Sequence, residues 1–322
     1  YITRRYDIKP DGTKLRQEDF CALLGRSEDA DGKDFKYQGS YEDMANIIKN
    51  KTEAQFRANF EKVCKNSVEY GLNTLIVHVR PFSDAYYKSN LFPWSSTITG
   101  TQGQDPGFDP LEIMVDLAHK YGLKIEAWVN PYRVSSSGVT ISKHSPAYKW
   151  LDTDKVQKVN GNYFYNPADQ DVMQLIIDGV EEIVENYNVD GIHFDDYFYP
   201  TTAESFDKSY YNDYKNVGGK LGLAAWRREN VNILIREVYS AIKAIDSSCR
   251  FGISPAGNMD KNYSSLYCDV YTWVTGKGYV DYICPQIYFG FNHGSLPYKS
   301  TVDQWSAYVK NSSIKKRVYT PF

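Results

Sequence analysis

The chain has 322 residues, of which 42% are hydrophobic and 24% are charged, proportions typical of a globular protein. Its 37 basic and 40 acidic side chains leave a net charge of -3, which argues against a nucleic-acid-binding protein because such proteins usually carry a basic excess. No apolar run approaches the roughly 18 residues that would cross a membrane.

Helical and strand patterns alternate from residue 51 onwards, whereas residues 1–50 are weakly patterned and contain one candidate strand, Tyr1–Ile8. The capping-box pair Thr52 and Gln55 predicts the start of the first helix. Helices are predicted over residues 52–71, 109–122, 169–187 and 224–245, and strands over residues 72–79, 124–129, 191–195, 251–254, 281–288 and 317–322. We therefore divide the chain into an N-terminal segment, 1–50, and one folded domain, 51–322.

The alternation of strands with helices predicts an α/β fold with a parallel sheet covered by helices. Turns from helix to strand are short, whereas the segments from strand to helix are long. The long segments are residues 81–108, 131–165 and 196–223. Long loops at the carboxyl ends of parallel strands are typical of a (β/α)8 TIM-like barrel, whose eighth strand we expect beyond Phe322. A doubly wound sheet is the alternative, but no strand is followed by a Gly-rich phosphate loop.

Alternate side chains of a strand share one face, so each strand is expected to send one set of residues into the barrel lumen. The polar or aromatic sets are His78 with Arg80; Glu126, Trp128 and Asn130; His193 with Asp195; and Cys284, Gln286 and Tyr288. We predict that the last members of these sets meet at the barrel mouth. A polar barrel interior without function is the alternative interpretation.

The strongest candidates for chemistry are Asp195 and Asp196, which end the strand 191–195. Adjacent carboxylates raise each other's pKa, so one can stay protonated as an acid. A single Asp can also act as a nucleophile or stabilise an oxocarbenium-like centre. We expect His193, one layer below, to be a core residue hydrogen-bonded to Asp195 rather than a catalyst, and we count it among the substrate-binding residues. A divalent cation held by these three residues is the alternative, although no second cluster offers further ligands.

The loops add polar groups that suit sugars. Arg80 suits a carboxylate or a hydroxyl-rich ligand, and Asp84 suits bidentate hydrogen bonds to sugar hydroxyls. An Arg80–Asp84 salt bridge that only shapes the loop is the alternative. Asn130 and Arg133 repeat this pairing of polar groups after the next strand.

Aromatic residues make up 15% of the chain, including 28 Tyr, which indicates either a large core or a surface that stacks on flat ligands. We predict that Tyr132, Tyr197, Tyr199 and Tyr288 cluster at the mouth and stack on pyranose faces. Trp128 is interpreted as a packing residue.

Several sequence blocks resemble a known family. They are Ile76–Asp84, Leu91–Ser95, Thr99–Gly103, Ala127–Arg133, Asp190–Pro200 and Gly252–Gly257. Together they resemble the bacterial glycosyl-hydrolase-like family 10 over roughly residues 51–322. The resemblance implies a (β/α)8 barrel, export or anchoring to the cell envelope, and hydrolysis of glycan strands, which in some relatives are peptidoglycan strands stripped of stem peptides.

The resemblance also implies where the site lies. It makes Asp195 and Asp196 the catalytic centre and places in the cleft Arg80, Asp84, Asn130, Tyr132, Arg133, Asn258, Gln286 and Tyr288. The block Asp190–Pro200 also resembles the chitinase-type family 18 motif. His193 and Tyr197 replace its second Asp and its Glu, so substrate-assisted chemistry does not transfer. Asp196 is then one candidate for the acid, whereas Glu126 lies too deep in the lumen.

We therefore predict a glycoside hydrolase in which Asp195 attacks or stabilises the anomeric carbon and Asp196, or another carboxylate, is the acid. A catalytically silent carbohydrate-binding barrel and a metal-dependent polysaccharide hydrolase or deacetylase are the alternatives. We expect a polysaccharide or oligosaccharide as the partner, no cofactor, no metal and no nucleic acid.

Two further expectations concern cellular context. Five widely spaced Cys without a CxxC pair predict free thiols rather than disulfides or zinc. Because the sequence begins at Tyr1 rather than Met, we expect that a signal peptide has been removed and that the protein is extracellular or in the cell envelope.

Overall fold

The structure is a computed structural model that describes residues 51–310 and the backbone of residues 317–318. The candidate strand Tyr1–Ile8 and the whole predicted segment 1–50 lie outside the described residues. Residues 311–316 and 319–322, which hold most of the last predicted strand, also lie outside them.

Several helices begin at a residue whose side chain caps them. They are α1 (Glu53–Glu69), α2 (Ser96–Thr99), α3 (Pro110–Lys120), α4 (Gln170–Asn186), α5 (Lys208–Asn216), α6 (Leu223–Ile245), α7 (Met259–Ser264), α8 (Val270–Thr275) and α9 (Tyr298–Lys310). Thr52 and Gln55 form the predicted capping box before α1. Asp109 and Asp169 accept backbone N–H groups at the starts of α3 and α4.

The strands of the main sheet are all parallel and follow chain order. They are β1 (Thr74–Arg80), β2 (Lys124–Val129), β6 (Gly191–Phe194), β7 (Arg250–Ile253), β8 (Tyr282–Ile283) and β9 (Arg317–Val318). Their order in the sheet is β1-β2-β6-β7-β8-β9, with parallel pairing throughout. A doubly wound sheet reverses its order at a switch point, so this order contradicts that alternative and fits successive strands of a barrel.

A second sheet lies in the long segment 131–165 and was not predicted. Its antiparallel strands are β3 (Arg133–Ser135), β4 (Val156–Val159) and β5 (Asn162–Tyr165), in the order β3-β5-β4. The strand predicted over residues 281–288 is also shorter than expected, because β8 is followed only by an isolated bridge between Ala256 and Gln286.

The core fills the space between the strands and the helices. The outward residues of β1, such as Val77 and Val79, and the stripe of α4, such as Ile176 and Val180, are buried. In the described part of the chain, no helix is both long enough and apolar enough to cross a membrane. Cys64, Cys249, Cys268 and Cys284 are free thiols, as predicted, and Cys21 lies outside the described residues.

Candidate active site

The parallel register brings the predicted inward residues together in layers. His78, Trp128 and His193 are paired across β1, β2 and β6, and the His78 ring stacks on Trp128 with centroids 4.0 Å apart. One layer lower, buried Glu126 binds Arg250 and accepts a hydrogen bond from the Tyr282 hydroxyl. The lumen below the mouth is therefore filled by polar and aromatic side chains that contact one another across the strands.

His193 belongs to this network rather than to the carboxyl pair. Its Nδ1 lies 2.7 Å from the Tyr282 hydroxyl, so the expected hydrogen bond to Asp195 is replaced by one across the lumen. Burial lowers the pKa of His193 to about 3, so the ring is neutral. The expectation that His193 is a core residue fits this position, although its partner was predicted wrongly.

Asp195 stands just beyond the end of β6 and is 1% exposed. Trp128 Nε1 donates to its Oδ2 over 3.0 Å, and Asn130 Nδ2 lies 3.0 and 3.3 Å from its two oxygens. The backbone N–H of Tyr197 donates to Oδ1 over 3.1 Å. These three groups donate hydrogen bonds, so they hold the carboxyl in one orientation and favour its ionised form.

Burial opposes that ionisation. The pKa of Asp195 rises to about 7, mainly because burial removes the carboxylate from water, and the neighbouring charge of Asp196 adds to the rise. The bonds from Tyr197 and Trp128 and the charge of Arg133 act in the opposite direction. A carboxyl group with a pKa near neutrality can change its protonation state during a reaction.

Asp196 is half-buried and points to the other side of the mouth. Gln286 Nε2 donates to its Oδ1 over 3.1 Å and to the Ser254 carbonyl over 2.9 Å. Burial raises the pKa of Asp196, and the bond from Gln286 and the charges of Lys261 and Arg133 lower it. The structure thus brings together Asp195, Asp196, Asn130 and Gln286.

Half-buried Arg133 packs beside exposed Tyr197 at the mouth. The Arg133 guanidinium lies 4.5 Å from the Tyr197 ring centroid and 4.6 Å from that of Phe82. The Arg133 backbone N–H donates to Asn130 Oδ1 over 3.2 Å, which ties this loop to the carboxyl site. Tyr197 is 41% exposed and Tyr288 is 60% exposed, so both can contact a ligand.

Arg80 does not share the lumen as its alternation with His78 predicted. The pairing of β1 with β2 shifts register between His78 and Arg80, and a bulge of this kind turns a side chain to the other face. The guanidinium lies 4.4 Å from the Phe92 ring and so close to Gly179 of α4 that a Cβ there would lie 2.1 Å from it. Arg80 is therefore buried beneath α4.

Asp84 is buried beside Gln102 rather than paired with Arg80. Gln102 Nε2 donates to its Oδ2 over 3.3 Å, and Oδ1 has no hydrogen-bond partner among the described residues. Burial raises the pKa of Asp84 to about 6. The alternative of an Arg80–Asp84 salt bridge is wrong, because the register shift sends the guanidinium toward α4.

Two of the predicted sugar-stacking tyrosines are core residues. Tyr132 and Tyr199 are each 1% exposed. Tyr132 packs edge-on against Phe198, and the Tyr199 hydroxyl accepts a hydrogen bond from Asn230 over 3.3 Å. Both were assigned to the mouth from their place in the loops, and tertiary packing turns them inward.

Asn258 caps α7, because its Oδ1 accepts the backbone N–H of Lys261 over 3.0 Å.

Two residues at the site were not predicted to act there. Trp128 lies on the same face of its strand as Asn130, and this alternation could have predicted that Trp128 reaches the carboxyl site. Lys261 acts on Asp196 only through a tertiary approach, for which the sequence holds no signal.

Metal ligation finds no support in the geometry. Within residues 51–310, no three His, Cys, Asp or Glu side chains form a group that could hold a metal ion. His193, the third ligand of the metal alternative, is bound to Tyr282 instead.

Comparison with known proteins places this site in context. The sequence model of the family described as Glycosyl hydrolase-like 10 matches residues 44–320. Glycosyl hydrolase YngK of Bacillus subtilis (strain 168) is 35% identical over 279 residues, 80% of this chain and 54% of that protein. Glycosyl hydrolase DigH of Escherichia coli (strain K12) is 35% identical over 264 residues, 74% of this chain and 60% of that protein. The chain thus spans little more than half of either relative.

Solved structures show the same fold. The glycoside hydrolase domain of PgaB (BpsB) from Bordetella bronchiseptica has a TM-score of 0.58 at 12% identity and covers 82% of this chain and 78% of that one. A cycloisomaltooligosaccharide glucanotransferase from Paenibacillus sp. has a TM-score of 0.53 at 14% identity and covers 85% of this chain and 37% of that one. The predicted α/β fold of the (β/α)8 TIM-barrel type is confirmed.

Proposed function

The chain belongs to the glycosyl hydrolase-like 10 family, and on that premise we propose that it hydrolyses glycosidic bonds of bacterial glycan strands. One observation carries this proposal. The buried carboxyl of Asp195 is held by Trp128, Asn130 and the Tyr197 N–H at the carboxyl end of β6, with Asp196 beside it. In TIM barrels this face carries the active site, and paired carboxyl groups are the usual catalysts of glycoside hydrolysis.

In the proposed mechanism Asp195 acts in its ionised form. Its three donors stabilise negative charge, which suits a group that attacks or stabilises an oxocarbenium-like anomeric carbon. Asp196 is the candidate acid that protonates the leaving oxygen, because burial raises its pKa and Gln286 fixes its orientation. The exposed rings of Tyr197 and Tyr288 offer faces for pyranose stacking.

For the substrate we propose peptidoglycan-type glycan strands, including strands stripped of their stem peptides. The support is the resemblance of the sequence blocks to a family with that activity, together with a mouth of exposed tyrosines and polar groups. An extracellular or cell-envelope location follows from that substrate and is part of the same proposal.

The test is the release of reducing ends from purified, peptide-stripped glycan strands. We expect wild type to release them, and we expect Asp195→Asn to lose about three orders of magnitude in rate. Asp303→Asn is the matched control, because Asp303 is an exposed carboxylate on α9 paired with Lys299. Full activity of Asp195→Asn would contradict the assignment. No release by wild type at any pH would favour a silent carbohydrate-binding barrel, and loss of activity with a chelator would favour a metal-dependent hydrolase.

A further inference from the structure

The hydroxyl of Tyr282 links two buried groups across the lumen. It lies 2.7 Å from His193 Nδ1 and donates its proton to Glu126 Oε2. Arg250 binds the other oxygen of Glu126, so this carboxyl is ion-paired, and an ionised carboxylate accepts hydrogen bonds but donates none. Neither Tyr282 nor Glu126 takes part in the proposed hydrolysis.

This arrangement determines which nitrogen of His193 carries the proton. The hydroxyl of Tyr282 has a single proton and donates it to Glu126, so its oxygen is the acceptor toward His193 Nδ1. The His193 ring is neutral, because burial lowers its pKa to about 3. The ring is therefore the tautomer that is protonated at Nδ1 and unprotonated at Nε2.

Two glycines leave room for this arrangement. Gly252 on β7 pairs with His193 on one side and with Tyr282 on the other, and a Cβ on Gly252 would overlap the Tyr282 ring. Gly191 pairs with Glu126 in the layer below, and a Cβ there would lie 2.9 Å from the Glu126 carboxyl carbon. The sheet thus lacks a side chain at the two points where Tyr282 and Glu126 reach across the lumen.

His193 in turn packs against the indole that binds Asp195. The Trp128 ring contacts two imidazoles, since His78 stacks on it at 4.0 Å and His193 meets it edge-to-face with centroids 6.4 Å apart. Trp128 Nε1 donates to Asp195 Oδ2 over 3.0 Å. The position of the indole therefore depends on the His193 ring, whose rotation Tyr282 restricts by its bond to Nδ1.

We infer that Tyr282 is a positioning residue of the active site. It fixes the tautomer and the orientation of His193, and through that ring it holds the Trp128 N–H on Asp195. The effect on rate rests on the proposed function, whereas the effect on the two rings does not. The opposing interpretation is that Tyr282 only fills the barrel, so that loss of its hydroxyl would change stability and leave catalysis as it is.

Nuclear magnetic resonance tests the structural part without any substrate. Long-range proton–nitrogen correlation spectra of wild type at neutral pH should show His193 protonated at Nδ1. In Tyr282→Phe the ring loses its acceptor and should become protonated at Nε2 instead. The indole N–H signal, identified as the one that Trp128→Phe removes, should shift in Tyr282→Phe. A wild-type His193 protonated at Nε2, or an indole signal that Tyr282→Phe leaves in place, would overturn the inference.

Glu126→Gln tests the same tautomer with Tyr282 retained, and it serves if Tyr282→Phe does not fold. Arg250 would bind the amide oxygen, which turns the amide N–H toward the Tyr282 oxygen. The Tyr282 proton is then donated to His193 Nδ1, and the imidazole proton moves to Nε2. We therefore expect Glu126→Gln to reverse the wild-type tautomer of His193, and an unchanged tautomer would contradict the proposed order of donors.

Kinetics on peptide-stripped glycan strands test the catalytic part. Tyr282→Phe keeps the aromatic ring and should lower kcat roughly 10-fold with little change in KM, because it disturbs the carboxyl and not the contacts to substrate. In the Trp128→Phe protein the same substitution should have little further effect, since both act through one indole. An unchanged kcat, or an equal loss in both backgrounds, would refute the positioning of Asp195 through Trp128.

Tyr239→Phe is the matched control. The Tyr239 hydroxyl on α6 also donates to a carboxylate, Asp281, over 3.4 Å, and Tyr239 is half-buried. Its loss should leave kcat, the His193 tautomer and the indole signal as in wild type. If wild type releases no reducing ends, the proposed function fails by itself, and the spectra still decide whether Tyr282 positions His193 and Trp128.

Discussion

The substitution Asp195→Asn should change how the stability of the protein depends on pH. The pKa of the Asp195 carboxyl is 3.8 when exposed and about 7 in the folded protein, where the side chain is 1% exposed. Because the folded pKa is the higher one, the contribution to stability is fully present below pH 3.8 and is lost as the pH rises through about 7.

The magnitude follows from the pKa difference. A difference of about 3 in pKa corresponds to about 4 kcal/mol, so this group should lower the free energy of unfolding of wild type by that amount between about pH 4 and pH 8. Asn does not titrate, so Asp195→Asn lacks this decline. The amide also loses hydrogen bonds from Trp128 or Tyr197, but that cost is the same at every pH and does not change the slope.

Urea unfolding of both proteins at intervals between about pH 4 and pH 8 measures the difference. We expect the free energy of unfolding of Asp195→Asn, relative to wild type, to rise by about 4 kcal/mol across this range. Asp303→Asn should follow the wild-type curve, because Asp303 is exposed. Parallel curves for wild type and Asp195→Asn would refute the reasoning that burial raises the pKa of this carboxyl.

Further predictions concern the hydrogen bond from Trp128 and the bulge at Arg80. Trp128→Phe removes one hydrogen-bond donor to Asp195 and should raise the pKa of Asp195 by about one. The midpoint of the rising limb of the rate–pH profile should therefore move to a pH above about 7. An unchanged midpoint would exclude this role for Trp128. Gly179→Ala places a Cβ 2.1 Å from the Arg80 guanidinium and should destabilise the protein by about 1–3 kcal/mol. Thermal denaturation checks this, with Gly294→Ala, whose Cβ would meet nothing within 4 Å, as the control.

The local sequence pattern was sufficient to predict the helices, the strands and much of the site. Period-two alternation on β2 placed Glu126, Trp128 and Asn130 on one face, and the structure finds Glu126 in the lumen and the other two bonded to Asp195. The same reasoning put Asp195 at the mouth. These residues could be predicted because successive side chains of a regular strand point to opposite faces of the sheet.

The same rule was wrong for Arg80, two residues after a correctly placed His78. One register shift between them turns the side chain toward α4, and such a bulge depends on how β1 pairs with β2 rather than on the residues of β1. Tyr132 and Tyr199 were misplaced for a related reason, because loop residues follow no period and only tertiary packing buries them.

By itself, then, the sequence determined the alternation of strands and helices, the family, and the candidate carboxyl groups, since all of these are read from neighbouring residues. The tertiary structure decided which side chains meet. Trp128 reaches Asp195 across 67 positions and Gln286 reaches Asp196 across 90. The charges of Arg133, at the start of β3, and of Lys261, in α7, both act on Asp196. Such contacts join segments that are distant along the chain, and no local period records them.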